Sequence, residues 1–365
     1  MRNTLKIPIF KLDYDKQFID SFQAGVNDIL STGFVGEGKY VKEFETKFCE
    51  ITRCNNSISC TSGTDAIELA IRSLNISHGE IIIPSNTFFA TAVAVKNCGC
   101  VPILADCCAD DLCIDPDEVK KLITKNTKAV IVVHVGGVLS SRLQAIKEIC
   151  EDHNIRLIED AAHAHGSHND LGYAGTIGAV GCFSFFPTKV MTTGEGGMVT
   201  TSNDLLANVV RSLKNFGRDL NDASRCIISH GMNSKINDLT GLMGSLECDR
   251  VNDRIQKRNE LLEVYENNLN KNYKVIKQKS GVCSYYKCMV ITENALAVKD
   301  AMRKNNISPT GEVYSNPVHH QKVFHQDGLP VTDWVAKNHI CPPLYPELTI
   351  EEVEYVCSVM NGVAK

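Results

Sequence analysis

Apolar residues in this chain fall into short unbroken runs, separated by stretches in which they recur at every third or fourth position. Ser57 to Cys60, Ile81 to Pro84, Val101 to Asp106, Ala129 to His134, Ile155 to Glu159, Cys182 to Phe186 and Gly197 to Thr201 are of the first kind. They are short, apolar and bounded by turn formers, so they predict buried strands. Phe18, Ile19, Phe22, Val26 and Ile29 carry the helical period instead, as do Ala66, Leu69, Ala70 and Leu74. The stretches from Ser141 to Asn154 and from Leu205 to Leu213 read as helices too, and Ile7 to Phe10 as a short extended piece. This alternation predicts an α/β fold, a mostly parallel sheet flanked by helices. From Asn237 to about Asn270 the pattern predicts one long charged helix leading to a smaller C-terminal α+β domain. There, Tyr273 to Ile276, Tyr285 to Val290 and Val298 to Lys304 read as mixed strand and helix. The expected division is a large domain over 1–245 and a small one over 246–365, with the N-terminal segment free to pack on the latter.

Composition narrows the class. A net charge of −5 leaves no basic footprint, so a nucleic-acid partner is not expected. No run approaches the ~18 apolar residues of a membrane span. The start, Met1 to Phe10, lacks the features of a signal peptide, so a cytoplasmic location is expected. Sixteen cysteines are many, and Cys98, Cys100, Cys107, Cys108 and Cys113 crowd one region. None forms paired C-x2-C knuckles and there is no H-E-x-x-H, so buried free thiols are expected and no metal.

The candidate chemistry sits at strand ends. Asp160 ends the Ile155 strand, where open parallel sheets bind ligands. Lys189 follows the Cys182 strand, after Pro187 breaks it. A carboxylate and an amine so placed suit a pyridine cofactor: the acid keeps the ring nitrogen protonated and the amine condenses with its aldehyde. Taken singly, each is more often a solvated charge or a helix cap. Thr61-Ser-Gly-Thr64 opens a helix, and such a turn either caps it or presents free N–H groups to an anion. Gly33-Phe-Val-Gly-Glu-Gly-Lys-Tyr40 nearly spells a P-loop, but Tyr40 replaces the metal-holding hydroxyl and no strand leads into it.

Asp160-Ala-Ala-His-Ala-His-Gly166, Phe183-Ser-Phe-Phe-Pro-Thr-Lys189 and the glycine-rich turn after it resemble the active-site region of the DegT/DnrJ/EryC1/StrS sugar aminotransferases. The resemblance extends over the chain from about residue 15, and Val41, Phe44 and Glu45 fit the family's segment after the Gly33 loop. It implies a fold-type I pyridoxal phosphate enzyme, aspartate aminotransferase-like. By the same resemblance Lys189 bonds the cofactor and shuttles the proton, Asp160 faces the ring nitrogen and His163 the ring hydroxyl. Ser62, Gly63, Thr64 and Ser184 hold the phosphate, with Asn233 reaching across a homodimer interface, and Phe88 stacks on the ring. Phe89 is left as an ordinary core phenylalanine. Phe34 and Tyr314 are placed near the sugar, and His319 either there or in a solvated loop. Lys235 stands where the family has arginine, which leaves a bidentate role there open.

Thr192-Thr-Gly-Glu-Gly-Gly-Met198 and Gly36-Glu-Gly-Lys-Tyr-Val41 resemble family members acting at C-4 of a 4-keto-6-deoxyhexose. The implied partners are L-glutamate and a nucleotide-linked keto sugar, with UDP or dTDP favoured, and the product a 4-amino-4,6-dideoxy sugar of the viosamine or perosamine kind for a surface glycan. The alternatives are a C-3 aminotransferase, the dehydratase branch, which replaces the lysine by histidine, and a non-catalytic binder of the sugar nucleotide.

Overall fold

The structure is a computed structural model that describes residues 6–363 apart from Arg225 and Thr310; the first five residues of the start read above lie outside it. Its chain opens with Ile7 bridged to Ile307, so the N-terminal piece packs into the core of the C-terminal part. Helix α1 (Lys16–Thr32) is capped by Asp15, whose carboxylate accepts the Phe18 N–H at 2.7 Å, and ends at Gly33 in the left-handed region. Helix α2 (Lys39–Thr52) buries Val41, Phe44 and Phe48 on one face. The motif these residues fit predicts no helix there, although their three- and four-residue spacing carries the signal.

Strand β1 (Asn56–Cys60) leads to α3 (Gly63–Ser73), β2 (Glu80–Pro84) to α4 (Phe89–Asn97), and β3 (Val101–Ala105) to α5 (Pro116–Leu122). Then come β4 (Thr127–Val133), α6 (Leu143–Asp152), β5 (Arg156–Asp160), a small hairpin of β6 (His168–Asn169) and β7 (Gly172–Tyr173), β8 (Val180–Ser184), β9 (Gly197–Thr201) and α7 (Asp204–Leu213). The main sheet runs β1-β9-β8-β5-β4-β2-β3. Only β9 opposes its neighbours; β3, β2, β4, β5 and β8 are parallel. Their carboxyl ends therefore share one edge, and that edge carries the site.

The long helix expected from Asn237 is two: α8 (Asp238–Cys248), capped by Asn237, and α9 (Val251–Asn268). The break is forced by packing. Gly241 and Gly244 let α8 lie directly against α2, where a Cβ would meet the Val41 backbone and the Phe44 ring. Leu261, Leu262 and Tyr265 of α9 instead enter the C-terminal core, and one straight rod cannot serve both. The C-terminal part holds a three-stranded antiparallel sheet of β10 (Lys274–Val275), β11 (Val290–Ile291) and β12 (His339–Ile340). Around it lie α10 (Ala295–Lys304), α11 (Pro330–Asn338) and α12 (Ile350–Asn361). Tyr285 to Met289 is not strand: Tyr285 is left-handed, and the carbonyls of Tyr285 and Tyr286 go to the buried Arg258 guanidinium at 3.2 and 3.4 Å. Among the described residues, no helix is long and apolar enough to cross a membrane.

Candidate active site

Beyond the carboxyl edge lies a cavity of about 420 Å³. Asp160, His163, Lys189, Phe88 and Tyr314 line it together with Ser62, Gly63, Thr64 and Ser184. The acid, the amine and the Ser-Gly-Thr corner, far apart in sequence, thus share one chamber. Strand alternation decides which carboxylate faces it. Glu159 is fully buried, bonds His134 at 2.9 Å, and accepts the N–H groups of Gly175, Ile177 and Gly178. Asp160 turns to the cavity, where it accepts the Thr91 hydroxyl at 2.9 Å and the Ala162 N–H at 3.2 Å.

Burial pushes the Asp160 carboxyl up from its ordinary value, against the Thr91 and Ala162 hydrogen bonds and the charge of Lys189. Burial also brings the Lys189 amine down to about 7, with Asp160 opposing and Lys287 adding to the fall. The Lys189 Nζ has no hydrogen-bond partner among the described residues; it lies 4.8 Å from the centre of the Tyr286 ring. His163 is held neutral: burial, then the charges of Lys189 and Lys287, drive its pKa well below normal. Its Nδ1 accepts the Gly136 N–H at 3.2 Å, which leaves the proton on Nε2, directed at the Tyr314 hydroxyl 3.2 Å away. The His163 ring packs on Tyr286, with centroids 4.4 Å apart.

The corner at Ser62 suits an anion. Ser62 caps α3 by accepting the Asp65 N–H at 3.1 Å, and the Gly63 and Thr64 N–H groups have no partner within the helix. At Gly63 a Cβ would lie 2.7 Å from that of Ser184, so only glycine keeps this cradle open. A partnerless amine, a carboxylate fixed by two donors and an open N–H cradle in one cavity fit a phosphorylated pyridine aldehyde: Lys189 would bond it, Asp160 would face its ring nitrogen and the corner would hold its phosphate.

Phe88 is 50% exposed at the cavity mouth, and Phe89, expected in the core, is 47% exposed and packs on Phe88 because α4 begins there. His319 does not line the cavity. It is 2% exposed, with Nδ1 2.6 Å from the Ser85 hydroxyl and Nε2 2.9 Å from Asp333, so it is neither a solvated loop residue nor within this chamber. His319, His320 and Asp333 bring three ligand-type atoms within 4.8 Å of one another, but the contacts there are ring-to-carboxylate hydrogen bonds. Phe34 is 60% exposed and outside the lining. Asn233 also lies outside its own chain's cavity, on the surface, accepting from Lys235 at 2.7 Å. The five crowded cysteines are buried free thiols. Sequence reasoning missed Tyr286 and Lys287, which reach the cavity from the C-terminal part; only the tertiary fold reveals them.

Sheet order, small domain and site together define a fold-type I pyridoxal phosphate enzyme. The chain belongs to the DegT/DnrJ/EryC1/StrS aminotransferase family, whose profile matches residues 16–361. It is 29% identical to a GDP-perosamine synthase of Vibrio cholerae over 92% of this chain and 94% of that one. It is equally similar, 29% over 97% and 99%, to the dTDP-3-amino-3,6-dideoxy-alpha-D-galactopyranose transaminase of Aneurinibacillus thermoaerophilus. NtdA of Bacillus subtilis, solved with bound cofactor PMP, superposes with a TM-score of 0.90 at 26% identity, over 98% of this chain and 85% of that one. The protein is an aminotransferase that uses pyridoxal phosphate.

Proposed function

We propose that this enzyme moves the amino group of L-glutamate to C-4 of a nucleotide-linked 4-keto-6-deoxyhexose, working as a cytoplasmic homodimer with shared sites. One observation carries the chemistry: Asp160 and Lys189 face one cavity that also holds the Ser62–Thr64 cradle. When bound, the cofactor supplies an electron sink that stabilises negative charge on the carbon bearing the nitrogen. Lys189, whose amine burial brings down to about 7, would take a proton from the donor's Cα and deliver it at C4′. Asp160 would keep the proton on the ring nitrogen, and Thr91 and the Ala162 N–H hold that carboxylate in place. Neutral His163 and the Tyr314 hydroxyl it faces would together hold the ring hydroxyl oxygen. Phe88, at the cavity mouth, would cover the ring face. The amino donor and the keto sugar use one cavity in turn, so kinetics should be ping-pong.

Support for C-4 comes from the Thr192–Met198 turn and from relatives named as perosamine synthases. A C-3 product is the second reading, favoured by relatives of equal similarity whose names place the nitrogen at C-3. The nucleotide expected from the sequence is UDP or dTDP, and the relatives' names add GDP. The test is a panel of 4-keto-6-deoxy sugars on the three nucleotides with L-glutamate, and NMR of the product. Nitrogen on C-4 supports the proposal; nitrogen on C-3 removes it in favour of the second reading.

A further inference from the structure

A second ammonium opens into the same cavity. Lys287 follows Tyr286 in the irregular segment that Arg258 clamps, and its Nζ lies 4.9 Å from the centre of the Tyr286 ring, the ring that Lys189 approaches to 4.8 Å. Among the described residues, no carboxylate, carbonyl or hydroxyl is within hydrogen-bond reach of this Nζ. The nearby acid, Glu312, is already engaged by Lys299 at 2.7 Å. Space beside the ammonium is kept open by Gly311, whose Cβ, if present, would stand 2.8 Å from Nζ. A largely buried cation without a partner is costly, and it persists where a ligand supplies the counter-charge.

Among the described residues, Lys189 and Lys287 are the two cations lining the cavity. Lys189 is committed to the cofactor, and the cofactor's phosphate has its own cradle at Gly63 and Thr64. We infer that Lys287 is the anion anchor of the amino-donor subsite and pairs with a carboxylate of the incoming amino acid. Both ammonium groups approach the Tyr286 ring and line one cavity, so that carboxylate would share the chamber with the Lys189 amine that takes the Cα proton. When the keto sugar replaces the donor, the same ammonium is left to donate to sugar oxygens. The inference rests on the proposed transfer from an amino acid.

The test is a single-turnover half-reaction of the holoenzyme with L-glutamate and with L-alanine, read by cofactor absorbance, for wild type, Lys287→Met and Lys287→Arg. Calorimetric titration of the same holoenzymes with maleate, which binds without reacting, supplies a readout independent of turnover. Loss of one charge-assisted hydrogen bond should raise the donor half-saturation and the maleate Kd about 10- to 100-fold in Lys287→Met. Cofactor content and the maximal rate should change far less, and Lys287→Arg should restore most of the affinity. An equal effect on both donors assigns the α-carboxylate; an effect on glutamate alone assigns the side-chain carboxylate. Unchanged donor and maleate affinity, or a defect confined to the sugar half-reaction or to cofactor retention, overturns the inference. Lys287→Gln is the second variant should Lys287→Met melt early. Failure of the wild type to half-react with any amino acid overturns the donor reading as well, which separates the two failures.

Discussion

Lys214 and Lys189 are both shielded from open solvent, and their surroundings are opposite. Lys214 is 5% exposed, bonds Glu37 tightly, reaches Glu45 at 3.4 Å and donates to the Ser59 carbonyl at 3.0 Å. Glu45 in turn accepts the N–H and hydroxyl of Ser59, both at 2.8 Å, so that cluster is closed on itself. Lys189 has no hydrogen-bond partner among the described residues; it has an aromatic ring and the opposed fields of Asp160 and Lys287. A buried charge with its partners in place fixes structure; one without them is held ready for something that arrives. The contrast separates scaffold from chemistry without reference to any motif.

The predictions test that contrast. Lys189→Ala should lose at least about 10³-fold in turnover. It should still bind the cofactor through the Ser62–Thr64 cradle, as equilibrium dialysis would show. Asp160→Asn should cost about 10²- to 10³-fold in kcat, because a neutral amide no longer holds the ring nitrogen charged. Lys214→Met should act on the other axis. Leaving Glu37 and Glu45 unpaired should destabilise the fold by about 3 kcal/mol in urea melts, while folded protein keeps its kcat. A Lys214 variant with normal stability and crippled turnover would erase the distinction.

A smaller effect concerns pH. The folded pKa of Lys189 lies near 7, below the ~10.4 of an unfolded lysine, so the native apoenzyme binds fewer protons between these values. Its contribution to stability therefore rises with pH across that window, by at most about 1.4 kcal/mol per pH unit. Lys189→Met removes it: apo-variant minus wild-type stability should favour the variant most at pH 7 and converge toward pH 10. Smallest of all, Phe88→Ala should weaken cofactor retention only a few-fold, about 1 kcal/mol of lost ring contact.

What the sequence discloses follows from how local the cause is. The parallel strands were legible because β4 and its neighbours are buried on both faces and so are apolar without a break. Asp160 sits at a strand end and Lys189 a few residues beyond the next, but each alone reads as a solvated charge or a cap, and it is the family motif joining them that made the pair legible. Helix α2 was legible in spacing but masked by its motif letters, and the Asp249–Arg250 break was not, since it comes from two cores competing for one amphipathic stretch. Tyr286 and Lys287 were invisible: their place depends on an Arg258 clamp and on a left-handed Tyr285, neither of which has a local signature. His319 shows the reverse error, a residue placed by analogy that here spends its two ring nitrogens on Ser85 and Asp333.

Lys189, and not the second amine in the chamber, is proposed to bond the cofactor. Borohydride reduction of the purified holoenzyme, followed by peptide mass mapping, reads this directly. The adduct mass should appear on the peptide containing Lys189 and nowhere else. An adduct on Lys287, or a yellow holoenzyme whose Lys189 peptide stays unmodified, would contradict it.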